Sequence, residues 1–521
     1  MRFNYSRKFN VDHDLTARAG VRYQTNNSEF DQVKAYNSAN DNLQTIGQGD
    51  IDLTQKSGSE DNWKWLSYYL NADYGYKNKY LVSFNMAIDG SSRIGKEASG
   101  LKMFDNVFGV FPSLSAAWLI SSEDFMAGVD KISFLKFRLG YTRTGNSDIG
   151  NYTARSYYNS QNFLGYYGFV RGNIANPELK WENNTKLNAG LDVGLFNDRL
   201  SVSADVYTSK TTDMLMWEQL QGAAGISMYA KNDGAMKNTG FELGINSRII
   251  DNRDLKWDLG VNIAHYKNKV TELSTDNKIT EIAGGYVRTK VGAPIGQFYG
   301  YKTNGVYATS EEAASAGLSK LNANGSSVAF GAGDVRFVNV NSSDKIIDEK
   351  DMVVIGDPNP DIFGNINTSL QYKSFTLSAV LTYSVGNDIY NALRHDLESM
   401  QGYDNQTKAV LNRWTHEGQI TNTPRAVWND PMENSRFSDR WIEDGSYLRM
   451  KTVTLSYDFP IKQKFIKTLQ AYVTGNNMLT FTKYLGYDPE FSASQNPLYY
   501  GIDMGMSPIA RSVLFGVKIG L

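Results

Sequence analysis

The stretches between the apolar segments of this 521-residue chain carry the side chains best suited to chemistry, and these are aromatic. Tyr152, Tyr157, Tyr158, Tyr166, Tyr167, Trp414, Trp428, Tyr487, Tyr499 and Tyr500 stand beside Asn, Asp and Arg. A ring face stacks on an apolar surface while neighbouring polar groups fix orientation, which suits a sugar or a peptide. Tyr157, Tyr158, Tyr166, Tyr167, Trp414, Trp428 and Tyr487 are the candidate ligand-binding set; the competing reading makes the same rings interface girdle, loop packing or contacts to a lid. The nearest approach to a metal motif is NVNSSDKIIDEKD, 339 to 351, in which Asn341, Asp344, Asp348 and Asp351 are candidate cation ligands, against the alternative of a solvated acidic loop.

Covalent and acid–base chemistry is poorly represented. Four histidines, His13, His265, His395 and His416, are too dispersed for a metal triad, and HEGQI at 416 to 420 is not HExxH. Neither a GxSxG elbow nor a phosphate-binding P-loop occurs. Glu178 and Glu182 have no spacing that selects a glycosidase pair. The chain is expected not to be an enzyme. With no cysteine, disulfide frameworks, thiolate zinc sites and cysteine nucleophiles are excluded together. Lys+Arg 53 against Asp+Glu 55 leaves a formal charge of -2, which gives no ground for a nucleic-acid partner.

The elements that must hold these residues are strands. Aromatics are 13% of the chain, with 32 Tyr and 25 Phe, and Gly reaches 46, a usage that favours strands and tight turns. In 187 to 209, LNAGLDVGLFNDRLSVSADVYTS, Leu187, Ala189, Leu191, Val193 and Leu195 alternate with Asn188, Gly190, Asp192 and Gly194. Phe196 to Asp198 supplies a turn, and Leu200, Val202, Ala204 and Val206 then alternate with polar residues, which predicts a hairpin. Arms of roughly ten residues suit tilted strands crossing a bilayer.

The same pattern recurs in about fifteen strand candidates, from 2 to 9 and 15 to 25, through 65 to 76, 80 to 89, 107 to 120 and 134 to 143, to a last one ending at Leu521. Short links such as Lys77 to Lys79 and Lys373 to Ser374 alternate with long ones, among them 267 to 360 and 386 to 445. A soluble sandwich shares the alternation of residues. The alternation of links points instead to a transmembrane antiparallel barrel with short periplasmic turns and long extracellular loops. Mean hydropathy of -0.43 agrees with that reading, because only alternate residues of a barrel meet lipid. Trp65, Tyr74, Tyr76, Trp257, Tyr457 and Phe459 are expected in an aromatic girdle. An odd strand count in a bacterial barrel, normally even, predicts further strands upstream of Met1.

Several stretches go beyond a generic barrel: DGSSRIG (89 to 95), FGVFPSLSAAWLISSEDFM (108 to 126), LKFRLGYTRTGN (135 to 146), NPELKWENN (176 to 184), GAPIGQFYGYKTNGVY (292 to 307), GDPNPDIFGNIN (356 to 367), DGSYLRMKTVTLSYDFP (444 to 460) and GNNMLTFTKYLGYDPE (475 to 490). In this order they resemble the C-terminal barrel region of the SusC/RagA family of TonB-dependent outer-membrane transporters of Bacteroidetes-type bacteria. The resemblance implies a 22-stranded barrel of which this chain supplies about 15 strands, without the plug or signal peptide. It implies a location in the outer membrane, in contact with the lipid bilayer. It also implies a SusD-like surface lipoprotein as lid, energy from TonB through the missing N-terminal region, and import of oligosaccharide or peptide fragments. A soluble or surface-attached β-sandwich module that binds glycans is the alternative.

Two departures from the family pattern stand out. Family members carry a DxNxDG-type calcium loop where this chain has 339 to 351. Here Asn339 replaces an Asp, one residue is inserted, and Lys345 replaces the turn glycine. Calcium is therefore the one cofactor to consider, and none is otherwise expected. The terminal residue is Leu521, where the family's is aromatic.

Overall fold

The computed structural model describes the chain apart from Gln44, Leu164, Gly165, Ser227, Ser342, residues 462 to 464, Ser492, Ala493 and Gln495, and the side chains of Asn162, Phe163, Tyr167 and Ala224. Nearly all regular structure is strand, and sixteen strands carry the main antiparallel sheet. Two compact units divide the chain: Met1–Ala127, Lys136–Ala189 and Thr208–Met236 form one, and Gly128–Leu135, Gly190–Tyr207 and Lys237–Leu521 the other. The predicted hairpin, Glu182–Leu195 and Leu200–Thr212, contributes to both. Its turn places Phe196, Asn197 and Asp198 in the left-handed region, with φ of 56, 57 and 60°.

In the first unit Arg2–Lys8, His13–Lys34, Gln55–Tyr76, Tyr80–Ser91, Asn106–Leu119 and Ile132–Asn146 follow one another as sheet neighbours. The turn before Tyr80 has positive φ at Lys77 (52°) and Asn78 (53°), matching the twist that two-residue hairpins need. Register carries the alternation across the sheet. Tyr23 faces Leu66, Leu66 faces Gly90 and Gly90 faces Phe108 on the apolar side. On the other side Asn71 donates to Asn85 at 2.7 Å and Ser83 to Asp73 at 2.5 Å. Near the turns, rings lie side by side: His13 and Tyr76 at 4.9 Å, Tyr76 and Tyr80 at 6.2 Å, Tyr80 and Trp118 at 6.4 Å. Tyr74 and Tyr76 thus sit where a girdle belongs. Trp65 does not: it packs against Ile94, Phe111 and Trp181 on the polar side.

The expected end of strand at 25 and its resumption at 65 are overturned. His13–Lys34 and Gln55–Tyr76 run 22 residues each, paired without a break from His13↔Tyr76 to Lys34↔Gln55. At about 3.3 Å per residue each arm is roughly 70 Å long, far more than a bilayer needs. Beyond the bilayer both faces meet water, so residues 26 to 34 need no apolar alternation and give no period-two signal.

The second unit contains Ala235–Asp251, Leu255–Glu272, Ile362–Tyr372, Phe375–Val385, Tyr447–Asp458, Thr468–Thr482 and Ser512–Gly520 as successive neighbours. One row of partners reads Trp257, Leu370, Leu377, Leu455, Val473, Phe515. The adjacent row reads Asp258, Ser369, Ser378, Thr454, Thr474. The apolar row is open, with Leu377 44%, Leu455 51% and Phe515 80% exposed. The polar row bonds within itself, Thr454 to Thr474 at 2.9 Å and Ser369 to Ser378 at 3.3 Å. A sandwich would cover the apolar row with a second sheet. This sheet leaves it bare, as the wall of a transmembrane barrel does towards lipid.

The buried core of this unit lies in the segments between wall strands. Tyr301, Tyr307, Phe330, Val335 and Phe337 form one cluster, and Phe298, Tyr390, Phe437, Trp441 and Ile502 another. Short elements frame them. Helix Ser310–Ala316 is capped by Thr309, whose Oγ1 accepts from the Glu312 N–H, and stops at Gly317, where φ of 64° favours glycine. The long links predicted as loops are thus a folded cap.

Candidate functional site

Two motif stretches that lie apart in sequence meet at the outer end of the wall. Arg449 and Lys451 stand two apart on Tyr447–Asp458, whose register with Thr468–Thr482 shifts between Met450 and Thr452. A bulge of this kind re-aims side chains. Arg449 is buried; its Nε donates to Thr480 Oγ1 at 3.1 Å, its Nη2 to Asp488, and its Nη1 lies 3.0 Å from Glu490. Lys451 Nζ reaches both oxygens of Glu490, at 2.7 and 2.8 Å. Asp488 also accepts the Ile509 N–H at 3.1 Å. The YDPE stretch is thereby clamped to the wall by charge-assisted bonds.

Inside the cap, Asp334 is fully buried. Its carboxylate accepts from Arg425 Nε (2.9 Å) and Nη2 (3.1 Å), from Asn434 (3.0 Å) and from the Gly331 N–H (2.8 Å). Four donors, two of them from one bidentate guanidinium, compensate the cost of removing that charge from water. Elsewhere in the links between wall strands, Tyr484 donates to Asp503 at 2.6 Å, and burial together with that bond pushes its hydroxyl pKa up.

A hollow of about 460 Å³ opens in the same cap, lined in part by Thr303, Arg394, Glu398, Asp439 and Arg440. Burial, and then the nearby Arg394, bring Arg440 down to about 10. Arg394 is held by Glu443 at 2.7 Å and Glu398 at 3.0 Å. The opening offers both signs of charge, the means to bind a polar oligomer, and its lining includes no Ser, Cys or His to serve a covalent step.

The predicted ligand-binding rings fall in different surroundings. Tyr157 lies against Gly172, so close that a Cβ there would meet its ring. Tyr158 and Tyr166 sit at opposite ends of a small hairpin, Tyr158–Phe163 and Tyr166–Arg171, both exposed and roughly 17 Å apart along it. Tyr167's side chain is outside the described residues. Trp414 is built into the cap, its Nε1 donating to Ala308 O at 3.0 Å. Tyr487 is exposed beside the clamp. Trp428, 53% exposed, pairs with Tyr403, 89% exposed, their ring centroids 4.6 Å apart. Tyr403 was not predicted; its only sequence signal is the turn-rich QGYDN around it.

The loop 339 to 351 engages its own backbone. Asp351 Oδ1 accepts the N–H groups of Val340 and Asn341, both at 2.8 Å, and its Oδ2 that of Asp348 at 3.0 Å. Asp348 caps the following turn through the Lys350 N–H at 2.9 Å. Asn341 donates to Asp344 at 3.3 Å, and Asp344 accepts the Ile346 N–H at 3.1 Å. Among the described residues no group of three or more His, Asp or Glu is gathered as a cation would need. These four residues bond here to one another and to their own backbone.

The comparisons with known proteins agree with this architecture. The family described as TonB dependent receptor-like, beta-barrel, matches residues 1 to 478. TonB-dependent receptor P3 of Formosa agariphila is 30% identical over 536 residues, covering 99% of this chain and 51% of that protein. TonB-dependent receptor SusC of Bacteroides thetaiotaomicron is 30% identical over 485 residues, covering 87% of this chain and 43% of that one. Among solved structures, the RagAB peptide importer in its closed-closed state shares the fold, with TM-score 0.79, 24% identity, and 99% of this chain covering 55% of that one. The chain spans about half the length of the curated relatives it matches. Lipid-facing rows, short turns, a folded cap and these matches together place the protein in the bacterial outer membrane, and the chain belongs to the TonB-dependent receptor-like β-barrel family.

Proposed function

We propose that the chain is the barrel part of an outer-membrane importer of nutrient oligomers, SusC-like in organisation. In this reading it works with a plug, with TonB as the source of energy, and with a SusD-like surface lipoprotein over the cap. The observation that carries it is the 30% identity to SusC over 87% of the chain. The substrate class is a glycan or peptide fragment. Exposed rings such as Trp428 and Tyr403, together with the doubly charged hollow, provide stacking and hydrogen bonding that either would use.

The test is uptake by cells that carry the full-length gene or a deletion of it. Labelled oligosaccharides and oligopeptides are supplied with and without an uncoupler. One class should enter only when the gene is present and the membrane is energised, and a lipoprotein should co-purify with the tagged barrel. Uptake of every labelled oligomer unchanged by the deletion would overturn the reading.

A further inference from the structure

The outward face of the first unit carries a notch of about 530 Å³. Its floor is the row Tyr23, Leu66, Gly90, Phe108, all on the apolar, lipid-facing side. Gly90 lets the Phe108 ring lie over it, since a Cβ there would come within 2.7 Å of that ring. Height is set by register. Leu66 is eleven residues (77 − 66) from the turn residue Lys77, roughly 36 Å of strand, or about 25 Å of height at a 45° tilt. That is the full depth of the apolar band of an outer-membrane barrel, so the notch straddles its outer rim.

Along this face the side chains change in order outward. Tyr68 and Leu66 are apolar, Lys64 is a cation, Asn62 an amide and Glu60 an acid. Lys64 and Arg155, both exposed, stand at the polar lip, with Tyr152 accepting the Asn62 N–H at 3.0 Å. No Asp or Glu lines the notch among the described residues. An apolar floor continuous with the lipid-facing wall, under two cations at headgroup level, is complementary to an amphiphile with an anionic head.

We propose that this notch holds a phosphorylated glycolipid of the outer leaflet, with acyl chain against Tyr23, Leu66 and Phe104 and phosphate on Lys64 and Arg155. Tyrosines at the rim fit the same level of the membrane.

The test is native mass spectrometry of the full-length protein in detergent, titrated with bisphosphorylated lipid A, with its dephosphorylated form and with inorganic phosphate. The wild type should retain the bisphosphorylated lipid on the order of tenfold better than the Lys64→Ala/Arg155→Ala variant. The dephosphorylated form should bind both proteins at the weaker level. The same heat-induced shift in gel migration as the wild type shows checks that the variant folds. If the double variant fails that check, Arg155→Gln alone, in an exposed loop, is scored the same way. Equal retention by wild type and variant would sink the proposal. So would inorganic phosphate binding as tightly as the lipid, or displacement of the lipid by an imported oligomer.

Discussion

The wall and the cap of the second unit are built from the same chain by opposite rules. In the wall, side chains such as Leu377, Leu455 and Phe515 are exposed, and the polar row beneath them is satisfied by Ser–Ser and Thr–Thr bonds. In the cap, Trp441, Tyr390 and Phe298 are sealed and an ion pair sits at zero exposure on its acidic side. The wall is held by backbone ladders and by the polarity of its solvent; the cap is held as a soluble domain is, by packing. The same substitution should therefore have different consequences in the two places.

The largest contrast comes from volume. Trp441→Ala should cost the cap about 3–5 kcal/mol, seen as lost hydrogen-exchange protection in 298 to 356 and 388 to 444, with the wall unchanged. Leu377→Ala, on the lipid face, should leave exchange in both regions nearly as it was. Equal loss in wall and cap would erase the distinction. Polarity reverses the ranking: Val473→Arg should destabilise the wall by about 2–4 kcal/mol. Thr474→Arg, one residue on and facing the lumen, should be tolerated much better, as a denaturant titration in detergent would read. Asp334→Ala follows at about 2–3 kcal/mol, because Asn434 stays buried while the partly exposed Arg425 recovers water.

The smallest effect is a pH dependence confined to the cap. Burial lowers the pKa of His395, whose Nε2 lies 2.8 Å from Ser435 O and Nδ1 3.0 Å from the Tyr390 hydroxyl. The unfolded cap takes up a proton near the ordinary value of 6.5 while the folded cap resists it. The contribution is therefore complete above 6.5 and is lost as pH falls from there towards the lowered folded value. Protection around 390 to 400, corrected for the intrinsic exchange rate, should fall between pH 7.5 and 5.5, and His395→Gln should flatten the difference.

What the sequence makes legible follows the same division. The wall could be read because lipid on one side and water on the other impose period two, visible in Leu187 to Leu195 and again at Trp257 and Leu259. Turns at Lys77 and Phe196 announced themselves through polar residues that tolerate positive φ. The cap could not be read this way. Asp334 and Arg425 are 91 residues apart, Arg449 and Asp488 39 apart, and only the fold makes them neighbours. The four acids and amides of 339 to 351 have cation-like spacing, and Asp351 accepts three backbone N–H groups, a bonding pattern that spacing does not reveal. Of the seven predicted rings, Trp414 is structural, while Trp428 gains an unforeseen partner in Tyr403.

The wall strands follow one another in chain order within each unit, and this makes every outer link a free variable. Closing the stretch 273 to 361, some ninety residues, costs only about 3 kcal/mol more than closing a two-residue turn, because loop entropy grows with the logarithm of length. The cap's own packing offsets that cost without reference to the strands it joins. Register, tilt and lipid contact are thus insulated from whatever the outer links become. A lineage, or an engineer, can exchange recognition surfaces on this frame one link at a time, and the membrane will register no change.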